Sequence, residues 1–263
     1  MHPIITVAVP TRHRLPKLAR FVDSFLSTTN SFNRPHLLVV SDSPEPGDPT
    51  IKYMDGLRQQ YGYPAIEYNI NTEKSGLAQL WNHCIIRSPT DWVLVCNDDG
   101  IFQPGWLEWL EEQIATGKYL QINLMHYGGF CIHKKMTLLN GWFDERFRGG
   151  GWEDNDWQLR LRESGLYRMV FEWTIDWKYM KHEKVNDGNN WTDKNNGTWI
   201  CRKWGRDQAH YWHTPSFRRE PEFDWHPIYT TIYEARYQAA SRLLEINAGI
   251  NNNKAVYHWD VPV

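Results

Sequence analysis

The chain predicts an α/β protein built around a central, mostly parallel sheet, and three observations lead there. Apolar runs at Ile4 to Val9, His36 to Val40 and Trp92 to Cys96 lack polar alternation, so each reads as a strand covered on both faces. Between these runs, apolar residues recur at helical spacing, as in Leu15, Leu18, Phe21, Val22 and Phe25. Each run also ends abruptly in polar residues. Strands alternating with helices give crossover units and hence parallel pairing.

The elements follow in order. Ile4 to Val9 closes on the basic loop Pro10-Thr11-Arg12-His13-Arg14, and a helix runs from Leu15. His36 to Ser41 ends at Asp42 and a Pro/Gly-rich loop, followed by a helix from Ile51 to Tyr61 and a short strand from Ala65 to Ile70. Leu77, Leu80, Trp81, Cys84 and Ile85 mark an amphipathic helix entered through a polar loop. After the Trp92 to Cys96 strand, a helix begins near Pro104, which a first turn tolerates. Strands are expected at Tyr119 to Met125, Gly128 to His133 and Tyr167 to Ile175. A helix opens near Glu153 and can be capped by Gly165. Asn186 to Gly197 reads as a lid-like loop, Cys201 to Arg219 as a basic aromatic segment, and Ile232 to Ile246 as a helix. The domain plan is one α/β domain over 1-185, with its halves dividing at about residue 100, then an extension over 186-263.

Composition narrows the function. With 263 residues and a formal net charge of -2, the chain has no global pull toward nucleic acid or anionic membrane. Its four cysteines are far apart and without CxxC spacing, which favours buried thiols in a reducing compartment. A strand at the N-terminus without a charged leader, and no run of membrane-spanning length, lead to the expectation of a soluble, cytoplasmic protein. On that expectation the sequons at Asn190 and Asn196 are chance matches. Fifteen tryptophans suit sugar rings or bases as well as cores.

Two acidic stretches carry the chemistry. Asn97-Asp98-Asp99-Gly100 leaves the buried strand at a carboxyl end, where open α/β sheets bind ligands. Adjacent carboxylates there repel unless a cation or proton intervenes, although the composition alone also suits a turn. Glu153, Asp154 and Asp156 follow a triple glycine and occupy the first turn of a helix, where the dipole favours anions with or without catalysis.

Taken in order, these pieces resemble glycosyltransferases of the GT-A fold, the Rossmann-like nucleotide-diphospho-sugar transferase fold, and most closely the inverting family 2. The resemblance runs from about Ile4 to His182. The Val9-Pro10-Thr11-Arg12 loop looks like the family's first nucleotide-contacting loop, and Asp42 falls where an acid meets base or ribose. Gly76 to Asn82 is similar to its Gly-x-x-x-x-x-Asn helix, and Asn97-Asp98-Asp99 occupies the DxD position with Asn97 replacing the first acid. Gly141-Trp142-Phe143-Asp144-Glu145, then Glu153-Asp154-Asn155-Asp156, then Leu159-Arg160-Leu161, resemble the family's closing succession.

What the resemblance implies is a metal-dependent inverting transfer from a nucleotide-diphosphate sugar to a hydroxyl acceptor such as a glycan, a lipid-linked sugar, a protein or a modified DNA base. Asp99 is then the metal ligand, with Asp98 its helper and His182 a further ligand for Mn²⁺ or Mg²⁺. Pro10, Thr11, Arg12, Asp42, Asn82, Asn97 and Asp98 are expected at the nucleotide sugar. Asp154 is the implied general base, with Glu153 orienting the acceptor or sharing the proton. Asp99 and Asp154 are expected to converge on one pocket. A nucleotidyltransferase, or a carbohydrate- or nucleotide-binding protein without turnover, is the alternative on the same scaffold.

Overall fold

A computed structural model of the chain describes residues 4–30, 34–42, 47–62, 66–71, 75–147, 149–172, 178–182 and 194–203. The lid-like stretch up to residue 193, most of the basic aromatic segment and the helix expected from Ile232 lie outside the described residues. The chain forms two compact units. The first comprises Met1–Ser75, His83–Lys134 and Arg168–Asp187, and the second Gly76–Asn82, Lys135–Tyr167 and Gly188–Val263.

The first unit holds the sheet. Strands β1 (Ile5–Thr11), β2 (His36–Asp42), β3 (Ile66–Asn71), β4 (Trp92–Cys96), β6 (Gln121–Met125), β7 (Gly129–His133) and β8 (Val170–Glu172) lie in the order β3-β2-β1-β4-β7-β6-β8, while β5 (Gly100–Phe102) and β9 (Met180–His182) form a separate ribbon. Pairing is parallel from β3 through β4 and between β6 and β8; β7 runs antiparallel to both its neighbours. The mostly parallel expectation holds. Every residue of β1 and β2 is buried, which explains their unbroken apolar runs.

Helix α1 (Leu15–Thr28) starts with a proline in its first turn and buries Leu18, Phe21, Val22 and Phe25, one stripe at three- and four-residue spacing. That stripe joins Val7, Val9, Leu37 and Val39 of the sheet in one core. Helix α2 (Pro49–Tyr61) is capped by Asp48, whose carboxylate accepts from Thr50 N at 2.8 Å. Helix α3 (Leu77–Arg87) passes from the second unit to the first, and α4 (Trp106–Ala115) buries Trp106, Leu107, Trp109 and Leu110.

The strand order reverses at β1, with β2 on one side and β4 on the other, so the exits of β1 and β4 frame the switch-point crevice. Pro10 sharpens it. It brings no amide hydrogen to either neighbour, and while the β1–β2 ladder continues to Thr11, the β1–β4 ladder stops at Ala8. The two central strands part at the switch point, where open α/β sheets bind ligands.

The second unit contains α5 (Lys135–Asn140), α6 (Glu153–Glu163) and α7 (Lys194–Lys203). The expected loop over Asn186 to Gly197 is therefore wrong from Lys194 onward. Asn196 is buried and donates to the carbonyls of Gly150 and Gly151, at 3.4 and 3.0 Å, while Ile200 packs with Phe147 and Leu159. Tertiary contacts override an Asn-rich composition here. They also leave the Asn196 sequon inside the protein. The strand expected over Tyr167 to Ile175 begins as a single 3-10 turn, Leu166–Met169, before β8. No helix among the described residues is long and apolar enough to cross a membrane.

Candidate active site

The acidic turn at the end of β4 is built by short-range backbone bonds. Asn97 N donates to Gly128 O at 2.8 Å and Gly100 N to Asn97 O at 3.1 Å. Gly100 then opens β5, whose antiparallel pairing sets Gly100 opposite His182 of β9. A residue more than eighty positions downstream is thereby brought to Asp99: His182 Nε2 lies 3.2 Å from Asp99 Oδ1.

The two acids have different surroundings. Asp98 accepts from the Thr11 hydroxyl at 2.8 Å and pairs with Arg14 Nη1 at 2.8 Å. Burial pushes its carboxyl up to about 6; Arg14 and Thr11 oppose that, and Asp99 adds to it. Asp99 turns Oδ2 toward Arg14 Nη2 at 3.2 Å and Lys17 Nζ at 3.7 Å. Its Oδ1 is buried without a hydrogen bond, because the His182 contact is close enough for an ion pair but lacks hydrogen-bond alignment. That geometry suits a shared cation, since two neighbouring ligands of a six-coordinate Mg²⁺ or Mn²⁺ stand about 3 Å apart. No cluster of three acidic, His or Cys side chains among the described residues is arranged to hold a metal. An ion here would have two protein ligands and take the rest from phosphate and water, as Mg²⁺-type ions commonly do.

The other residues expected at the nucleotide lie at the carboxyl ends of β1 and β2 in the first unit. Asp42 ends β2 fully buried, accepts from Ser75 N at 3.3 Å and faces Arg12 Nη1 at 3.8 Å. His13 adopts a left-handed backbone, with φ of 51°, and its Nδ1 lies 3.0 Å from Asp48 Oδ2. Strained residues of this kind collect at functional loops. Pro10 is buried within β1.

Asn82 is corrected by its partners. It is fully buried, its amide nitrogen donates to Phe143 O and Glu145 Oε1, both at 2.9 Å, and its oxygen accepts from Phe143 N at 3.0 Å. Those bonds make Asn82 a fastener of the loop before α6, and not a nucleotide contact. Gly76, at the other end of the same motif, has the matching reason. A Cβ there would meet Phe147 O at 2.7 Å, and Leu77 N donates to Gly149 O at 2.5 Å. The Gly-x-x-x-x-x-Asn segment thus clasps the chain at 143–149 from both ends.

Beyond that clasp, Trp152 takes φ of 77°, unusual for an aromatic residue, and delivers Glu153 and Asp154 to the start of α6. Asp156 forms a fully buried pair with Arg160 at 3.0 Å, and Arg160 Nη1 also donates to Asn140 O at 2.5 Å. Trp157 stacks on Phe143 with centroids 4.3 Å apart and is wholly buried. Both belong to the scaffold. Asp154 is partly exposed, whereas Glu153 is buried, and burial, reinforced by the Asp154 charge, raises its carboxyl to about 8. Glu153 therefore keeps its proton at neutral pH. Arg14 belongs to the basic loop singled out in the sequence, but its tie to the acids, and Lys17 altogether, were not anticipated, although their three-residue spacing at a helix start puts both on one side of it.

Comparison with known proteins agrees with this architecture. No curated protein matches the chain. Solved structures do. The mannosyltransferase PcManGT from Pyrobaculum calidifontis, in complex with GDP-Man and Mn²⁺, is 13% identical, with a TM-score of 0.56 over 97% of this chain and 78% of that one. S. aureus TarS 1-349 is 14% identical, with a TM-score of 0.54 over 94% and 79% of the two chains. A Drosophila β1,4-galactosyltransferase 7 mutant in complex with manganese, UDP-Gal and xylobiose is 16% identical, with a TM-score of 0.51 over 79% and 81%. At such identities the likeness establishes the fold, which is GT-A. The model of glycosyl transferase family 2 matches residues 6–174, well over half of the sequence, and with the switch-point acids and the Glu-Asp helix start in place the chain belongs to that family of glycosyltransferases.

Proposed function

We propose that the protein is a metal-dependent inverting glycosyltransferase that moves a sugar from a nucleotide-diphosphate donor to a hydroxyl acceptor. The observation that carries this reading is the approach of Asp99 Oδ1 and His182 Nε2 to 3.2 Å at the switch point. The similar structures solved with GDP-Man and Mn²⁺, or with UDP-Gal and manganese, support the same donor chemistry.

In this reading Asp99 and His182 hold Mn²⁺ or Mg²⁺. When bound, the ion offsets the charge that grows on the departing diphosphate. Asp98, tied by Thr11 and Arg14, fixes the turn, while Asn97 meets the ribose or sugar and Asp42 with Arg12 meets base or ribose. Asp154 accepts the proton of the acceptor hydroxyl. That oxygen bonds to the anomeric carbon as the carbon–oxygen bond to phosphate breaks, and the nucleoside diphosphate departs with inversion. Burial, reinforced by the charge of Asp154, holds the Glu153 carboxyl up, so Glu153 carries its proton beside the proposed base.

The test has two arms. A thermal-shift screen of nucleoside diphosphates with and without Mn²⁺ should find one base whose stabilisation depends on metal. Asp154→Asn should lower turnover by roughly 10²- to 10⁴-fold while that stabilisation persists. Unchanged turnover in the variant would refute the base assignment.

A further inference from the structure

Asp99 is assigned a divalent cation, yet its other oxygen already faces two positive side chains. Arg14 spans both acids, with Nη1 at 2.8 Å from Asp98 Oδ1 and Nη2 at 3.2 Å from Asp99 Oδ2. Lys17 Nζ lies 3.7 Å from the same Asp99 oxygen. These are not loose surface pairs, because side-chain exposure is 17% for Arg14, 6% for Lys17, 3% for Asp98 and 10% for Asp99. With both acids ionised, these contacts already set two cations against two carboxylates before any metal arrives.

A divalent ion added at Asp99 Oδ1 would leave two surplus positive charges in a partly buried cluster, where charges act strongly on one another. A diphosphate removes that surplus. It also offers Arg14 and Lys17 the oxygens that a guanidinium fork and an ammonium bind best. We propose that Arg14 and Lys17 gate the cation site: they neutralise Asp99 in the free protein and turn to the donor's diphosphate when it arrives, so that metal and diphosphate bind strongly only together. This coupling rests on the reading of Asp99 and His182 as ligands, and it is reciprocal by linkage.

Mn²⁺ alone, followed by the paramagnetic resonance of the free ion, is titrated into the full chain and into Arg14→Met and Lys17→Met. Wild type should bind weakly and each variant about tenfold or more tightly, a gain that a merely structural loss does not produce. Arg14→Lys, which keeps the charge, should stay near wild type. Inorganic pyrophosphate together with Mn²⁺ should raise the thermal midpoint of wild type well beyond the sum of the shifts that pyrophosphate in EDTA and Mn²⁺ alone produce, and that excess should shrink in Arg14→Met and Lys17→Met. Tight Mn²⁺ binding by wild type, or no gain in Arg14→Met and Lys17→Met, overturns the gate and leaves the ligand assignment standing. If the gained binding survives addition of Asp99→Asn, the ligand assignment falls instead. Should Arg14→Met fail to fold, Lys17→Met and the pyrophosphate measurement on wild type still decide the matter.

Discussion

Replacing Glu153 by Gln should stabilise the protein, and the gain should grow with pH. Glu153 is 3% exposed; its burial, and then the charge of Asp154, raise the carboxyl from an ordinary 4.5 to about 8 against the opposing pull of the backbone at Glu153 and Gly151. Below pH 4.5 native and unfolded chains both hold the proton and the residue costs nothing. Between 4.5 and 8 the unfolded chain has released it while the native chain has not, so stability falls as pH rises, by up to 1.36 kcal/mol per pH unit. Above 8 the cost is complete. Gln has no such slope, so the variant should gain about 3 kcal/mol over wild type at pH 7 and at most about 5 kcal/mol at pH 9, with little difference at pH 4. Urea midpoints of both proteins from pH 4 to 9 measure this directly. Two stability profiles that run parallel across that range would falsify the assignment of a protonated Glu153.

Further outcomes follow from the same contacts. Asn82→Ala strands Phe143 N and Glu145 and should cost about 2 kcal/mol in denaturant unfolding. Gly76→Ala, driven against the Phe147 carbonyl, should destabilise the same unit by about 1–3 kcal/mol. His182→Ala should remove the metal-dependent part of nucleoside-diphosphate stabilisation and keep the metal-free part, as read by thermal midpoints with Mn²⁺ or EDTA. Cys84, Cys96 and Cys131 are buried free thiols held well above the ordinary thiol range, so a thiol reagent should reach them only after unfolding.

Much of this was legible in the chain because burial on two faces writes itself as an unbroken apolar run. β1, β2 and β4 announce themselves that way, their helices by apolar residues at helical spacing, and the start of α6 by acids after a triple glycine. The pieces that were not legible owe their existence to distant partners. β5 and β9 have three residues each, too few to show a period, and only their mutual pairing explains how His182 meets Asp99. α7 carries a loop-like composition, and nothing local reveals that Asn196 is needed beneath the triple glycine. Asn82 misled for a related reason. Its motif is real, but the amide answers to Phe143 and Glu145, partners some sixty residues away. Lys17 was passed over, and Arg14 was read only as one member of a basic loop, because such a loop next to a helix start reads equally as solvated until the acids it faces are known.

Pro10 sits at the centre of the sheet, where any other residue would supply an amide hydrogen and an incentive for β1 and β4 to zip further. Closing them would tighten the protein and extend the ladder into the switch point, where the proposed donor binds. Thermostability and access are therefore opposed at this one position. A protein selected only for robustness should be expected to lose its proline first, and its chemistry with it.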